Sequence, residues 1–198
     1  MRVLVADDQR LVRAGLAALL DLEPDLEVVA QMGDGAGAVD VAKLNHVDVA
    51  LMDIEMPHDG ITATAELTAA GACQVLIVTT FGRAGYLRRA MDAGARGFMV
   101  KDAPAEQLAD AIRTIHAGGT AVDPQLAAEA LSAGENPLTE RERDVLRASL
   151  DGGSVRAIAS SLHLAQGTVR NYLSSAIAKT GAANRVAAAH VARDRGWL

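Results

Sequence analysis

Five short apolar runs, each followed by a helix-length stretch, recur within roughly the first 119 residues, and this rhythm restricts the fold more than any other feature. The runs are Arg2–Ala6, Leu26–Gln31, Val47–Met52, Gln74–Thr79 and Arg96–Val100. Between them lie predicted helices over Asp8–Leu20, from the Gly33–Gly37 region to Leu44, over Gly60–Ala70 and over 84–93. A fifth runs to Ala117, with Asp102 as N-cap and Pro104 as its first residue, and Gly118-Gly119 stops it. Such alternation predicts parallel strands joined by crossover helices, a doubly wound α/β sheet. Aromatic residues are 3% of the chain, so its core must be built from Val, Leu, Ile, Ala and Met.

The pattern changes after residue 119. Residues 120–136 read as a linker with a helical turn or two between Pro124 and Leu131, closed by Gly134, Asn136 and Pro137. Residues 137–198 show helical patterns only: a capping box at Thr139–Glu142, a helix capped by Ser154, one from about Gly167 to Thr180, and a last one over Asn184–Arg195. Charge changes at the same place. Residues 1–136 hold 10 basic against 20 acidic side chains, a net of −10, whereas 137–198 hold 9 against 5, a net of +4. An acidic module joined to a basic one implies a polyanionic partner for the second. No run of 18 apolar residues exists and MRVLVADD lacks a signal-peptide layout, so the expectation is a cytoplasmic protein without membrane insertion. The single Cys73 excludes an internal disulfide, and five histidines without ligand spacing argue against structural zinc.

Chemistry gathers at the strand ends. In a parallel sheet all carboxyl ends share one rim, which brings Asp7, Asp8, Asp53, Thr79 and Lys101 together. Any one of these alone is better read as a turn cap or a satisfied loop side chain. As a set they are hard to explain that way. Three carboxylates need a hard divalent cation, for which Mg²⁺ suits an all-oxygen site. Asp53 could then attack a phosphoryl group, with the Thr79 hydroxyl and the Lys101 ammonium meeting its oxygens.

These residues carry a family resemblance. Ala6-Asp7-Asp8, Met52-Asp53-Ile54-Glu55-Met56-Pro57 with Asp59-Gly60, Val78-Thr79-Thr80 and Gly97-Phe98-Met99-Val100-Lys101-Asp102 resemble the receiver domain of two-component response regulators over residues 1–119. The resemblance implies a flavodoxin-like sheet of five strands in the order 2-1-3-4-5. It also implies that Asp53 takes its phosphoryl group from a sensor histidine kinase. Asp8, Asp53 and the backbone carbonyl of Glu55 would bind Mg²⁺, with Asp7 acting through the metal's water shell, and Thr79 and Phe98 would form a switch pair. Many receivers have proline directly after the lysine, where this chain has Asp102-Ala103-Pro104. A rival reading as an aspartate-nucleophile phosphatase fails at Glu55, where that class places a second Asp, and the chain is not expected to be an enzyme beyond phosphoryl gain and loss at Asp53.

In the basic module Val169, Leu173 and Ile177 recur every four residues, leaving Gly167, Asn171, Ser174 and Ala178 on the opposite face. Periodicity alone fits an antiparallel helical bundle as well as a helix-turn-helix. Leu138–Glu142, Ile158-Ala159, Gly167–Asn171 and Asn184-Arg185 are similar to the LuxR-type DNA-binding domain, over 137–198. That resemblance implies double-stranded promoter DNA as partner. By position Arg170, Asn171 and Ser174 are base-edge candidates, and Thr168, Lys179 and Arg156 phosphate candidates. Ala165 stands where the family caps its recognition helix with Ser or Thr, and Ser174 where it commonly has a long basic residue. Thr79–Arg83 and Gly167–Tyr172 also look similar to regulators of membrane-lipid desaturation. The expected protein is a phosphorylation-activated transcriptional regulator, a homodimer when phosphorylated. Its candidate dimer surface is the first helix (Leu11, Gly15, Leu16, Ala18) with the fifth, although one stripe could simply pack on a neighbouring helix. The alternative is a receiver that acts through protein–protein contacts without DNA.

Overall fold

The computed structural model describes residues 1–198 apart from Phe81, Arg83, Gln125, 129–135 and Asp151, and the side chain of Ala84. Phe81 and Arg83 of the 79–83 similarity, and the Leu131–Gly134 end of the expected linker, therefore lie outside the described residues. The chain divides into two compact units, the first built from Met1–Gly82 and Leu87–Ala127 and the second largely from Ala128–Leu198.

Strands β1 (Arg2–Ala6), β2 (Glu27–Met32), β3 (Val49–Met52), β4 (Gln74–Thr79), β5 (Gly97–Val100) and β6 (Ala121–Val122) form one sheet in the order β2-β1-β3-β4-β5-β6. Every pairing is parallel. The five expected strands stand in the expected order, and a sixth is added. β6 opens the segment expected to be a linker, pairing Ala121 with Gly97 and Val122 with Phe98. Two residues are too few for a period-two pattern to register in sequence.

Helices α1 (Arg10–Leu20), α2 (Ala38–Leu44), α3 (Gly60–Ala69), α4 (Ala84–Asp92) and α5 (Ala105–His116) connect the strands. The start of α5 differs from expectation. A turn closed by the Ala103 amide on the Val100 carbonyl at 3.2 Å carries Lys101 and Asp102, and Pro104, with ψ 141°, is the N-cap. Asp102 is left two residues short of the helix.

All four residues of β3, and Val3–Ala6 of β1, are buried, as strands covered on both faces must be. Alternation sorts them. Val3, Val5, Val49, Leu51, Leu76, Val78 and Met99 join Leu20 of α1 and Leu108, Ile112 and Ile115 of α5 in one cluster. Leu4, Ala50, Met52, Ile77 and Phe98, also buried, point by alternation to the other face. Cys73, on the connection into β4, is partly buried, and that burial pushes its thiol up to about 11.

The described part of the second unit contains α6 (Glu140–Arg147), α7 (Val155–Ser161), α8 (Gln166–Thr180) and α9 (Arg185–Asp194). Three of the four N-termini are capped by side chains: Thr139 with the reciprocal Glu142 bond, Ser154, and Asn184. Gly181, at φ 66°, ends α8 in a conformation that only glycine adopts without strain. Helix α8 packs on the other three. Its Val169, Leu173 and Ala176 share a core with Val145, Leu146, Ile158, Ala188, Ala192 and Trp197.

Candidate functional site

The sheet brings the expected rim residues together. The Asp53 amide donates to the Ala6 carbonyl at 2.9 Å, tying the end of β3 to the end of β1, and the Lys101 amide donates to the Thr79 carbonyl at 2.9 Å, tying β5 to β4. Asp7, Asp53 and Thr79 are buried to 3% exposure or less, whereas Asp8 is exposed. One carboxylate oxygen from each of Asp7, Asp8 and Asp53 lies within 4.8 Å of the others. Lys101 Nζ stands 2.7 Å from Asp7 Oδ2 and 3.0 Å from Asp53 Oδ2. Phe98 is fully buried on β5.

These groups perturb each other. Burial pushes the Asp53 carboxyl above its usual range; the Lys101 ammonium opposes this and Asp7 adds to it. Burial pulls Lys101 down, but the Asp7 and Asp53 carboxylates outweigh that and leave it raised. Other oxygens are already directed: Asp53 Oδ1 accepts the Ile54 amide at 2.9 Å, and Asp7 Oδ1 the Gln9 amide at 2.8 Å. Asp7 Oδ2 and Asp53 Oδ2 face Lys101 in ion-pair contact without an aligned hydrogen bond. Two buried carboxyl oxygens beside an exposed third carboxylate are a donor set that fits a hard divalent cation.

Two features of the rim escaped the sequence reading. The Arg13 guanidinium, from α1, donates to the Asp7 carbonyl, and nothing in the periodicity of α1 marks it. Gly60 begins α3 where a Cβ would stand 1.8 Å from the Asp53 carbonyl oxygen. Its amide donates to the Ile54 carbonyl at 3.1 Å, folding the turn that carries Glu55 back on the strand. A glycine directly after the capping Asp59 is the signal that could have identified this close approach.

On α1, Leu11 is 86% exposed, and Gly15 and Ala18 are exposed on the same face with Leu22. Leu16 is different. It packs against the core of the first unit and belongs to the inner stripe, so its place in the expected surface is corrected.

In the second unit Arg156, Arg170, Asn171 and Ser174 are exposed and Thr168 is half-buried. Ala165 occupies the N-cap of α8 and makes no side-chain capping bond. Lys179 is exposed on the same helix, and its ammonium is 2.7 Å from Glu142 Oε2. Glu142 is 4% exposed and also accepts the Ser175 hydroxyl at 2.6 Å and the Thr139 amide at 2.7 Å. It therefore fastens α6 to α8 at two points one turn apart. As a capping-box residue it was visible in sequence; as the anchor of α8 it was not.

Among the described residues no helix is long and apolar enough to cross a membrane. Residues 3–113 match the family model of the response regulator receiver domain, and residues 136–192 that of the bacterial regulatory proteins of the luxR family. The transcriptional regulatory protein DesR of Bacillus subtilis (strain 168) is 42% identical over 197 residues, covering 99% of this chain and 98% of its own. The crystal structure of ChrA, a response regulator in a heme-sensing two-component system, is 35% identical over 100% of this chain and 98% of its own, with TM-score 0.61. A DNA complex of the response regulator RcsB superposes with TM-score 0.71, covering 98% of each chain, and at 23% identity that likeness concerns the fold alone.

Proposed function

The chain belongs to the response regulators that join a receiver domain to a LuxR-family DNA-binding domain and is a transcriptional regulator, and from this premise we propose that Asp53 accepts a phosphoryl group from the phosphohistidine of a sensor histidine kinase. An Asp53 oxygen bonds to phosphorus as the nitrogen–phosphorus bond breaks, and the imidazole leaves with the electron pair. The Lys101 ammonium and the Thr79 hydroxyl then meet the phosphoryl oxygens, and Phe98 responds to the movement of Thr79. Asp8, Asp53 and the Glu55 carbonyl, with Asp7 acting through the metal's water shell, would hold a Mg²⁺ ion, which would supply the positive charge that lets carboxylates and a phosphoryl group share one site. The chemistry is confined to Asp53, and no turnover of another substrate is assigned. The observation that carries this reading is the buried Asp53, 3.0 Å from Lys101 and grouped with Asp7 and Asp8.

The receiver role is assigned to 1–119, the linker to 120–136 and DNA binding to 137–198, with the protein acting in the cytoplasm. The exposed Arg170, Asn171 and Ser174 supply the base-reading face, and Thr168, Lys179 and Arg156 phosphate contacts. Phosphorylation shifts a population towards a homodimer that presents two such faces to promoter DNA. Support comes from the exposed apolar stripe on α1 and from the match of residues 136–192 to the luxR family of regulatory proteins.

The test is incorporation of a phosphoryl group from acetyl phosphate with Mg²⁺, read by intact mass and peptide mapping. Modification at Asp53 that vanishes in Asp53→Asn is expected; a label on another residue would overturn the assignment. If the phosphorylated protein shows no sequence-selective, salt-dependent DNA binding, the second unit is a docking module for another protein instead.

A further inference from the structure

The segment that leaves the receiver is fastened to the two strand ends that the phosphoryl group addresses. After β6, the Asp123 amide donates to the carbonyl of Phe98 at 3.4 Å. Asp123 then caps a helical turn, its Oδ1 accepting the Leu126 amide at 3.1 Å and its carbonyl the Ala127 amide at 2.9 Å. This turn holds Leu126, 8% exposed, against Gly82, to which a Val100 methyl also comes close. The fit is close. A Cβ at residue 82 would stand 2.6 and 2.7 Å from the two Leu126 methyl groups and 2.9 Å from a Val100 methyl.

The placement of this contact matters. Gly82 lies three residues beyond Thr79, on the loop leaving β4, and Val100 directly precedes Lys101. Both residues that would answer the phosphoryl group therefore continue, within three positions, into the surface under Leu126. In a close-packed contact of this kind an apolar side chain loses much of its packing once the fit opens.

The geometry points to Leu126 as the residue through which the phosphorylation state of Asp53 reaches the linker. In the unmodified receiver Leu126 is held on Gly82, with Val100 close to the same glycine, and the turn capped by Asp123 is formed. When Thr79 and Lys101 are drawn to a phosphoryl group, the Gly82 loop moves, the fit under Leu126 opens, and the turn loses its anchor. This rests on the reading of Asp53 as the phosphoryl acceptor, and it gives the linker, not only the receiver's outer faces, a share in the signal.

The test is amide hydrogen exchange of the full-length chain, with and without acetyl phosphate and Mg²⁺, in peptides spanning 121–127, with intact mass read on the same samples. In the wild type, phosphorylation should speed exchange of the Leu126 and Ala127 amides about tenfold, as expected for loss of a local anchor. Leu126→Ala should exchange at that faster rate before any phosphorylation and gain little from it, while Asp53 is modified as in the wild type. Gly82→Ala, whose Cβ displaces the Leu126 methyls, should behave the same way by a different route. If Asp53 is modified and the linker amides do not respond, the relay is wrong and the acceptor reading stands. If Asp53 is not modified, both fall together. Variants in which phosphorylation speeds exchange by the wild-type factor would also overturn the relay.

Discussion

At the scale of single residues, the site depends on one absent side chain as much as on its carboxylates. With a Cβ at residue 60 only 1.8 Å from the Asp53 carbonyl, Gly60→Ala must push the Asp53 backbone or the turn behind it. Overpacking of this kind costs about 1–3 kcal/mol. Thermal melting should show that loss, and acetyl phosphate labelling should show Asp53 modified far more slowly; a variant labelled at the normal rate would mean that the turn relaxes freely. Glu142 offers a second residue-scale test. Burial pushes its carboxyl up, but Lys179, Ser175 and the Thr139 amide outweigh burial and hold it at about 2 against an ordinary 4.5. Because the folded value is depressed, the stability Glu142 contributes is present above about 4.5 and is lost as the pH falls towards about 2. A shift of this size corresponds to about 3 kcal/mol. Trp197, the chain's sole tryptophan, is buried in the core of the helical unit, so its fluorescence follows the unfolding of that unit. Glu142→Gln should flatten the acid dependence of the Trp197 transition, and an unaltered slope would remove Glu142 from the explanation.

At the scale of elements, caps and stripes decide what can be read in advance. Thr139, Ser154 and Asn184 cap their helices as their residue types require, because an N-cap needs only a local oxygen. The start of α5 was misread because Asp102 is a good cap in type but is held in the turn after Lys101. Leu16 was misread because α1 has two apolar stripes, and periodicity does not tell which one the sheet takes. Ala165 is a real gap. Ala165→Ser should stabilise the helical unit by about 1 kcal/mol, seen as a rise in the Trp197 melting temperature. No rise would mean that a backbone or water contact already satisfies the first turn of α8. The outer stripe of α1 has a test of its own: Leu11→Asp should leave melting unchanged, since the side chain is 86% exposed, but abolish phosphorylation-dependent dimers in light scattering. Dimers that persist would move the interface elsewhere.

Over the whole molecule, the division into an acidic and a basic part was legible because charge and periodicity change together near residue 136. The rim of carboxylates was legible because parallel sheets place their loops on one edge, and the strand order because the motifs on that rim resemble those of receiver domains. The ties between distant residues were not: Glu142 to Lys179 and Leu126 to Gly82 join positions that no local pattern relates. Lys179 is paired with Glu142 at 2.7 Å, so the proposed phosphate contacts lean on Arg156. Arg156→Ala should therefore lower the slope of log affinity against log salt by roughly 1, measured on DNA recovered from genome-wide mapping of the phosphorylated protein. An unchanged slope would take Arg156 off the phosphates. One further consequence comes from Cys73. With its thiol raised to about 11, only about one molecule in ten thousand carries the thiolate at neutral pH, and the thiolate is the form that alkylating reagents attack. Its labelling is therefore about a hundredfold slower than that of an ordinary thiol. A maleimide dye or spin label directed to a cysteine substituted for an exposed residue such as Leu11 or Ala178 would report predominantly from that site, so distances across the molecule can be followed through the phosphorylation cycle without first removing a native thiol.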